Sequence, residues 1–333
     1  MTRVLMIFLD GVGIGGSDPD VNPFMRARLD TLEWLLGSTG PLVEEKAFTN
    51  DRATLVPLDA KLGVAGLPQS GTGHTALLTG INAAREFGRH FGPWVPTALR
   101  NRLAHENVLT RAKAAGRTVA FANAYPEELF DEQSHAPALP HSHAPTQPLS
   151  RARRTGSDPL RAGPPIAALG AGVLTRRTPE LARGTAVASE ITNDGWRQHL
   201  KRTELPIIAP AEAGRNLARI AAQHDLTLFA HYATDDVGHR GHMYEAVDAL
   251  QKIDEFLSGI LAAIPDDTCV AIVSDHGNIE DLRIGHTYNP ALGLFVGADH
   301  TRFARSVLSI ADVAPQLLDL LDVSPSPSPS PSP

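Results

Sequence analysis

The sequence lacks several features that define whole classes of protein. Only one of its 333 residues is a cysteine, Cys269, so an internal disulfide framework is excluded. Lys and Arg number 30 against 37 Asp and Glu, which gives a formal net charge of −7. This balance provides no basic field of the kind that marks a general nucleic-acid binder, and we expect no nucleic-acid partner.

The start of the chain, where a signal peptide or a membrane anchor could lie, also lacks a long hydrophobic run. The apolar run at the start ends at Asp10, which makes it too short for a signal peptide and far too short to span a bilayer. Cys269 has apolar neighbours, which indicates a buried strand position. A single cysteine also fits a reducing compartment. The sequence therefore predicts a cytoplasmic protein with no membrane partner.

What the chain does have is enough apolar sequence for a large core, with a change of composition in the middle. Hydrophobic residues make up 42% of the chain, but residues 127–183 are rich in Pro, Arg, Ser and His. We expect this segment to be an inserted, loop-rich flap that caps the site without a core of its own. Residues 324–333 form a Ser-Pro repeat and are expected to be disordered. The predicted core is discontinuous, comprising 1–126 and 184–323.

Apolar runs of strand length alternate with helical patterns along this core. Residues 4–9, 226–232 and 268–274 are nearly continuous apolar runs, which are typical of strands buried on both faces. Amphipathic stretches such as 244–264 separate them. The alternation predicts an α/β fold with a mostly parallel central sheet and helices on both faces.

Acidic and imidazole side chains follow the ends of these predicted strands. Open α/β sheets bind ligands at the carboxyl ends of their strands, so we expect these side chains to lie close together. Each alone could also be a helix cap or a surface charge. Together they predict a two-metal centre, because Asp and His at such spacings can converge on cations. The residues are Asp10, Asp235, His239, Asp275, His276 and His286.

A serine followed by small residues and a histidine begins the most informative stretch, 70–80. The pattern predicts a loop that delivers Ser70 to the start of a helix. At that position free backbone N–H groups and the helix dipole favour an anionic substrate. Gly-Ser-Thr clusters are also typical of plain turns, and on local sequence alone that alternative stays open.

A second glycine-rich run, residues 11–16, has the G-x-G-x-x-G spacing of a dinucleotide-binding loop. That motif requires a helix to open at the last glycine. Here residues 17–23 contain Pro19 and Pro23 among turn-forming residues, and the acidic residue precedes the glycines instead of following them. The context argues against a dinucleotide site.

Polar residues around the serine segment are candidates for contacts with a substrate. Arg85 and Arg89 follow it, with aromatic residues between and after them, and they could contact a phosphate or form a solvated edge. Thr72 and His74 lie within the segment itself and are included as candidate substrate contacts.

Taken jointly, these segments resemble the metal-binding core of the alkaline phosphatase superfamily. The similarity is greatest to the branch that contains cofactor-independent phosphoglycerate mutase and phosphopentomutase. It rests on residues 10–13, on 70–80, on 235–239, on 274–278 and on 286–290. The resemblance implies one metal held by Asp10, Ser70, Asp275 and His276, and a second held by Asp235, His239 and His286. It also implies that Ser70, four residues before the histidine, is the nucleophile in preference to Thr72.

The resemblance implies phosphoryl transfer with two divalent cations. Two cations roughly 4 Å apart hold the attacking and leaving oxygens of an in-line displacement, and Ser70 would form a phosphoserine. Carboxylate and imidazole ligands suit Mn²⁺ or Zn²⁺, and the resemblance to the mutases favours Mn²⁺. The mutases of this family carry large closing domains, whereas the insertion here is short. We therefore expect a phosphomonoesterase or phosphodiesterase acting on a small soluble phosphorylated substrate.

Two other functions remain open from the sequence. One is a phosphomutase acting on phosphoglycerate or a pentose phosphate. The other is a non-catalytic metal-binding module, against which the intact set of ligands argues.

Overall fold

A computed structural model describes residues 2–37, 47–130 and 159–323 of the chain. Within these residues one seven-stranded sheet forms the centre of the fold. Its strands are β1 (Arg3–Leu9), β2 (Phe48–Thr49), β3 (Ala53–Leu58), β4 (Val119–Phe121), β5 (Leu226–His231), β6 (Thr268–Val273) and β7 (Ala291–Gly297).

Helices connect and cover these strands. They are α1 (Asp30–Leu36), α2 (Ser70–Thr79), α3 (Ala83–Phe87), α4 (Thr97–Glu106), α5 (Val108–Ala114), α6 (Gly163–Gly170), α7 (Thr178–Ala182), α8 (Asp194–Gln198), α9 (Pro210–Ala221), α10 (Ala233–Arg240), α11 (Met243–Leu261), α12 (His300–Ala304) and α13 (Val313–Leu320). Short 3₁₀ turns lie at Pro23–Met25, Glu127–Leu129, Pro159–Arg161 and Ile310–Asp312. In the part of the chain that the structure describes, no helix combines the length and the apolar content needed to cross a bilayer.

The strand order is β2-β3-β7-β6-β1-β5-β4. Strands β6, β1, β5 and β4 run parallel, whereas β2–β3, β3–β7 and β7–β6 are antiparallel pairs. The predicted α/β class is confirmed, and the parallel arrangement holds for one half of the sheet. The other half differs because the stretch 274–290 between β6 and β7 contains no crossover helix, so β7 returns in the opposite direction.

Both faces of the sheet are covered by apolar packing, as the sequence predicts. Alternate residues of β1 point to opposite faces: Val4, Met6 and Phe8 join one buried cluster, and their neighbours join the other. The first cluster includes α2, α4, α5, α6 and α13, and the second includes α1, α9 and α11. Full burial of both sides explains why the strands are almost continuously apolar.

One edge of the sheet collects all of the candidate ligands. The carboxyl ends of β1, β5 and β6 lie there because these strands are parallel. The amino end of β7 lies at the same edge because β7 is antiparallel, and His286 precedes it. Strand β3 also ends at this edge, so the loop that leads to Ser70 starts there. Strand direction therefore brings residues far apart in sequence to one place.

The described end of the predicted insertion is packed against the core. Ala167 and Ala168 of α6 are completely buried in the same cluster as α2 and α4. The prolines of this helix stand at its first positions, where a missing N–H costs nothing and the fixed φ favours helix. Residues 159–183 thus extend the core instead of forming a loose flap. Residues 131–158 of the predicted flap, and the Ser-Pro tail 324–333, lie outside the described residues.

Candidate metal centre

Four of the predicted ligands form a first buried cluster at the sheet edge. The Oγ of Ser70 lies 3.0 Å from Nε2 of His276. The same nitrogen lies 3.5 Å from Oδ1 of Asp10 and 3.4 Å from Oδ2 of Asp275. All four side chains are buried, and Asp275 and His276 have no exposed surface. Carboxylate, hydroxyl and imidazole atoms thus converge on one point.

The other three predicted ligands form a second cluster beside the first. Nε2 of His239 lies 3.3 Å from Oδ2 of Asp235 and 3.1 Å from Nε2 of His286. His286 Nε2 is in turn 3.5 Å from Oδ1 of Asp235. The other ring nitrogen of His286, Nδ1, donates to the carbonyl of Pro68 at 2.8 Å. That hydrogen bond leaves the Nε2 lone pair directed at the cluster, as a metal-binding histidine requires.

The two clusters adjoin through their imidazole rings. The rings of His276 and His286 stack with centroids 3.9 Å apart and an interplanar angle of 27°. Ligand atoms of Asp235, His276 and His286 also lie within 4.8 Å of one another. The arrangement therefore has the proportions of a pair of neighbouring cation sites.

The first cluster contains buried carboxylate oxygens that a cation would neutralise. Oδ1 of Asp10 and Oδ2 of Asp275 are buried and have no hydrogen-bond partner among the described residues. Burial, with the charges of Asp10 and Asp235 nearby, raises the pKa of Asp275 well above its ordinary value. Buried carboxylates that lack partners are costly, and a divalent cation would satisfy them. The donor set therefore fits divalent metal ions with mixed oxygen and nitrogen coordination.

The imidazoles differ in how easily they take up a proton. Burial, assisted by neighbouring His286, lowers the pKa of His276 to about 4, so its ring is neutral and able to coordinate a cation at neutral pH. The hydrogen bond to Asp235 raises the pKa of His239, which is half exposed. Burial alone would raise the pKa of Asp235, but hydrogen bonds from His239 and His286 lower it on balance. A cation at the second cluster therefore competes with a proton for His239.

Ser70 is the first residue of α2, as the sequence predicts. The residue before it, Gln69, is extended and makes no side-chain capping bond, so the backbone donors of the first turn are not capped by that side chain. Glycines in this turn allow close approach of other segments. A Cβ at Gly71 would lie 2.1 Å from the carbonyl oxygen of Trp94, and one at Gly73 would lie 3.0 Å from the Asp275 side chain. These close contacts explain why the serine segment has glycines at positions 71 and 73.

Glu280 is a buried residue of the site that the sequence analysis did not identify. Its Oε2 accepts hydrogen bonds from the backbone nitrogens of Gly13 and Asn278, both at 2.8 Å. Its Oε1 accepts from Thr287 Oγ1 at 2.5 Å and from Asn289 Nδ2 at 3.1 Å. One carboxylate therefore joins the three segments that carry Asp10, His276 and His286.

The four candidate substrate contacts fall into two groups. Thr72 and His74 are buried and engaged within the protein. The hydroxyl of Thr72 accepts from the backbone nitrogen of Phe91 at 3.2 Å. His74 accepts from the backbone nitrogen of Gly163, and its Nε2 lies 3.3 Å from Asp10. These two side chains support the segment from inside, which leaves them no free surface for a substrate.

Arg85 and Arg89 are exposed, and Arg89 lines a cavity of about 420 Å³. The cavity lies next to the nucleophile because Gln69, which lines it, directly precedes Ser70. Its other lining residues are Ala65, Gly66, Leu67, His90, Phe91 and Gly92. Arg89 is recognisable from the sequence, whereas the cavity forms from segments that only the fold brings together.

Comparison with known proteins gives an independent view of the same region. Residues 209–325 match the family model described as the Metalloenzyme superfamily, and this range contains Asp235, His239, Asp275, His276 and His286. The 2,3-bisphosphoglycerate-independent phosphoglycerate mutase of Halobacterium salinarum is 32% identical over 125 residues, which cover 34% of this chain and 25% of that protein. The mutase of the same description from Chloroflexus aggregans is 34% identical over 116 residues, covering 31% of this chain and 22% of that protein. The chain thus spans about a quarter of the length of these curated relatives.

A solved structure extends the likeness to the whole fold. The PH0037 protein from Pyrococcus horikoshii aligns with 98% of this chain and 99% of its own, with a TM-score of 0.53 and 12% sequence identity. At this identity the likeness concerns the fold alone. The resemblance recognised in the sequence is confirmed: residues 209–325 match the Metalloenzyme superfamily model, and cofactor-independent phosphoglycerate mutases are among the relatives to which the chain is similar.

Proposed function

We propose that this chain is a metal-dependent phosphomonoesterase or phosphodiesterase with Ser70 as its nucleophile. Its substrate would be a small phosphorylated molecule, and its two divalent cations would be Mn²⁺ or Zn²⁺. The observation that carries the proposal is the position of Ser70 Oγ, 3.0 Å from His276 Nε2 within a cluster of buried carboxylates at the start of α2. The proposed ligands are Asp10, Ser70, Asp275 and His276 for one cation, and Asp235, His239 and His286 for the other.

The proposed reaction follows from the chemistry of these side chains. When bound, the two cations would lower the pKa of the serine hydroxyl and offset the charge of the phosphate. Ser70 Oγ then forms a bond to phosphorus and loses its proton, while the bond between phosphorus and the substrate oxygen breaks. The departing alcohol takes up a proton, and water then releases phosphate from the serine when the substrate is a monoester, or a phosphate monoester when it is a diester. The positive end of the α2 dipole would favour the negative charge of the phosphoryl group.

A phosphomutase is the alternative, and the names of the relatives in the comparisons favour it. A mutase must keep its dephosphorylated intermediate enclosed until the phosphoryl group returns to it. Domains are typically 50 residues or more, and between Phe130 and Pro159 the chain has only residues 131–158 in which to build one. Because 159–183 contribute to the core, little chain remains for a closing domain, which supports hydrolysis.

A panel of phosphate esters tests this proposal. The protein loaded with Mn²⁺, and separately with Zn²⁺, is incubated with each ester, and free phosphate and positional isomers are both measured. Hydrolysis predicts phosphate release that Ser70→Ala abolishes and a phosphoserine at position 70 in rapidly quenched samples. Isomerisation without release of phosphate would establish the mutase and reject the hydrolase. A protein that retains less than one equivalent of metal and gains no activity from either cation would be a non-catalytic module.

We also propose a cytoplasmic location. The single cysteine supports it, because Cys269 is completely buried in β6 and cannot pair within the chain.

A further inference from the structure

We propose that His74 is a positioning residue of the metal centre. The proton on its Nε2 is shared by the carboxylates of Asp10 and Asp275 and holds both in the orientation that a cation needs. This role rests on the proposed metal-dependent phosphoryl transfer, and it belongs to a histidine that binds neither cation. His74 uses its imidazole in the opposite way from His276 and His286, the two buried histidines proposed as ligands.

His74 lies one helical turn after Ser70, on the same side of α2. Residues four apart share one face of a helix, which places the imidazole beside the nucleophile. The His74 side chain is only 2% exposed. The ring of Phe8 meets it edge-on, with the centroids 4.9 Å apart and an interplanar angle of 83°. Packing therefore fixes the plane of the imidazole.

The hydrogen bond at Nδ1 determines which nitrogen of His74 carries the proton. The backbone nitrogen of Gly163, the first residue of α6, donates to Nδ1 at 3.2 Å. A ring nitrogen that accepts a hydrogen bond carries no proton, so the proton of the neutral ring lies on Nε2. In this tautomer Nε2 has no lone pair for a cation, and it acts as a donor instead.

The two buried histidines of the metal clusters have the other tautomer. Nδ1 of His276 lies 3.2 Å from the carbonyl oxygen of Gly277, and Nδ1 of His286 lies 2.8 Å from that of Pro68. A carbonyl oxygen only accepts, so in both rings the proton is on Nδ1 and the Nε2 lone pair is free for a cation. The backbone partner of each ring thus makes two imidazoles ligands and the imidazole of His74 a donor.

Nε2 of His74 lies between two carboxylates. It is 3.3 Å from Oδ2 of Asp10 and 3.4 Å from Oδ2 of Asp275. This buried nitrogen forms no hydrogen bond with any other described residue. A buried N–H group is costly without an acceptor, and these two oxygens are within its reach. One proton therefore serves both carboxylates.

The shared proton decides which oxygen of Asp10 is offered to a cation. Oδ2 faces His74, whereas Oδ1 lies 3.5 Å from Nε2 of His276. Asp275 is held at both oxygens: Oδ1 accepts from the backbone nitrogen of Gly11 at 3.4 Å, and Oδ2 lies 3.4 Å from Nε2 of His74. A donor between two like charges also reduces their repulsion. Loss of such a supporting donor typically reduces metal affinity 10–100-fold.

Two substitutions of His74 separate the roles of its ring nitrogens. His74→Asn keeps an acceptor for Gly163 at the position of Nδ1 but has no donor that reaches the carboxylates. His74→Gln places an amide N–H near the position of Nε2 and loses the acceptor. In calorimetric titration with Mn²⁺, the affinity of His74→Asn should fall about 10–100-fold below that of the wild type, and His74→Gln should recover most of this loss.

The control is His300→Asn. His300 is also buried, with Nδ1 2.9 Å from the hydroxyl of Thr54, but it follows the carboxyl end of β7 at the opposite edge of the sheet. This variant should keep the wild-type Mn²⁺ affinity. Equal affinities of His74→Asn and the wild type, or of His74→Asn and His74→Gln, would overturn the proposal.

Nitrogen NMR of the wild-type protein tests the tautomer independently of how well a variant folds. In protein with ¹⁵N-labelled histidine, the ring of His74 is identified by its nuclear Overhauser contacts with the ring of Phe8. We expect a hydrogen bonded to Nε2 and none on Nδ1, both in the metal-free and in the Zn²⁺-loaded protein. A hydrogen on Nδ1, or a Zn²⁺ ion bound to Nε2, would overturn the proposal.

Failure of the phosphoryl-transfer proposal gives a different result. If the protein binds Mn²⁺ and the two His74 variants differ as stated, but no ester is hydrolysed, the positioning role stands and the catalytic proposal fails. If the wild-type protein binds no Mn²⁺, the positioning role is rejected together with the metal centre.

Discussion

The backbone nitrogen of Gly13 donates a hydrogen bond of 2.8 Å to the buried carboxylate of Glu280. The two residues are far apart in sequence, yet a Cβ added to Gly13 would lie 2.4 Å from that carboxylate. A Cβ at Gly15 would lie 2.9 Å from the Glu280 side chain, and one at Gly277 would lie 2.4 Å from it. Gly13 and Gly15 of the run 11–16 therefore let Glu280 approach the backbone, which gives part of this nucleotide-like spacing a cause without a nucleotide.

Replacement of Gly13 by alanine should destabilise the protein. The added methyl group would overlap Glu280, and overpacking of this kind costs about 1–3 kcal/mol of the free energy of unfolding. Gly16→Ala is the matched control, since nothing lies within 4 Å of a Cβ there. Chemical denaturation of both variants measures the difference, and equal stability of the two would contradict the steric account.

Replacement of Glu280 by glutamine should weaken cation binding. The amide group of glutamine would place a donor where one of the two carboxylate oxygens accepts, so the segments carrying Asp10, His276 and His286 would lose half of their common acceptor. Loss of such a supporting group typically reduces metal affinity 10–100-fold. Calorimetric titration with Mn²⁺ measures the affinity.

The control for Glu280→Gln is Glu204→Gln, which makes the same chemical change at an exposed position. Glu280 would be merely structural if its replacement lowered the melting temperature but left the Mn²⁺ affinity of the folded protein at the wild-type value.

Cation binding at the second cluster should weaken as the pH falls. The pKa of His239 is raised above its ordinary value of 6.5 by the hydrogen bond to Asp235, so this ring already carries a proton at pH values where a free histidine is mostly neutral. The cation must displace that proton, and affinity should fall about tenfold per pH unit below the raised pKa. Titrations between pH 8.5 and 5.5 measure the slope. An affinity that is constant over this range would exclude His239 as a ligand.

Cys269 should be inert in the native protein. Burial raises the pKa of its thiol to about 12, so almost no thiolate forms at pH 8. An aromatic disulfide reagent should therefore titrate about one thiol per chain in denaturant and almost none without it. Rapid reaction of the native protein would show that β6 opens readily.

The residues that could be predicted from the sequence share a local signal. Asp10 and Asp275 follow apolar runs, and Ser70 begins a distinctive segment, so each could be located without its partners. Glu280 could not, because its role depends on contacts with Gly13, Thr287 and other residues of three segments that only the fold unites. The glycine run does give a signal, because glycines indicate that another segment packs closely against the backbone. The sequence does not show which segment that is.

The parts of the fold that could not be predicted depend on long-range pairing. An apolar run such as 291–297 predicts a buried strand, but its direction is set by its neighbours β6 and β3. Composition also suggested a loose flap over 127–183, whereas Pro164 and Pro165 at the start of α6 begin a buried helix. Proline content indicates loops in general, and only its position within an element distinguishes a helix start from a break.

The stacked rings of His276 and His286 belong to different clusters, and neither ring can tilt without displacing the other. Occupation of one cation site therefore orients a ligand of its neighbour before the second cation arrives. We expect binding of one ion to change the affinity of the neighbouring site, and stepwise calorimetric titration with Mn²⁺ measures that change.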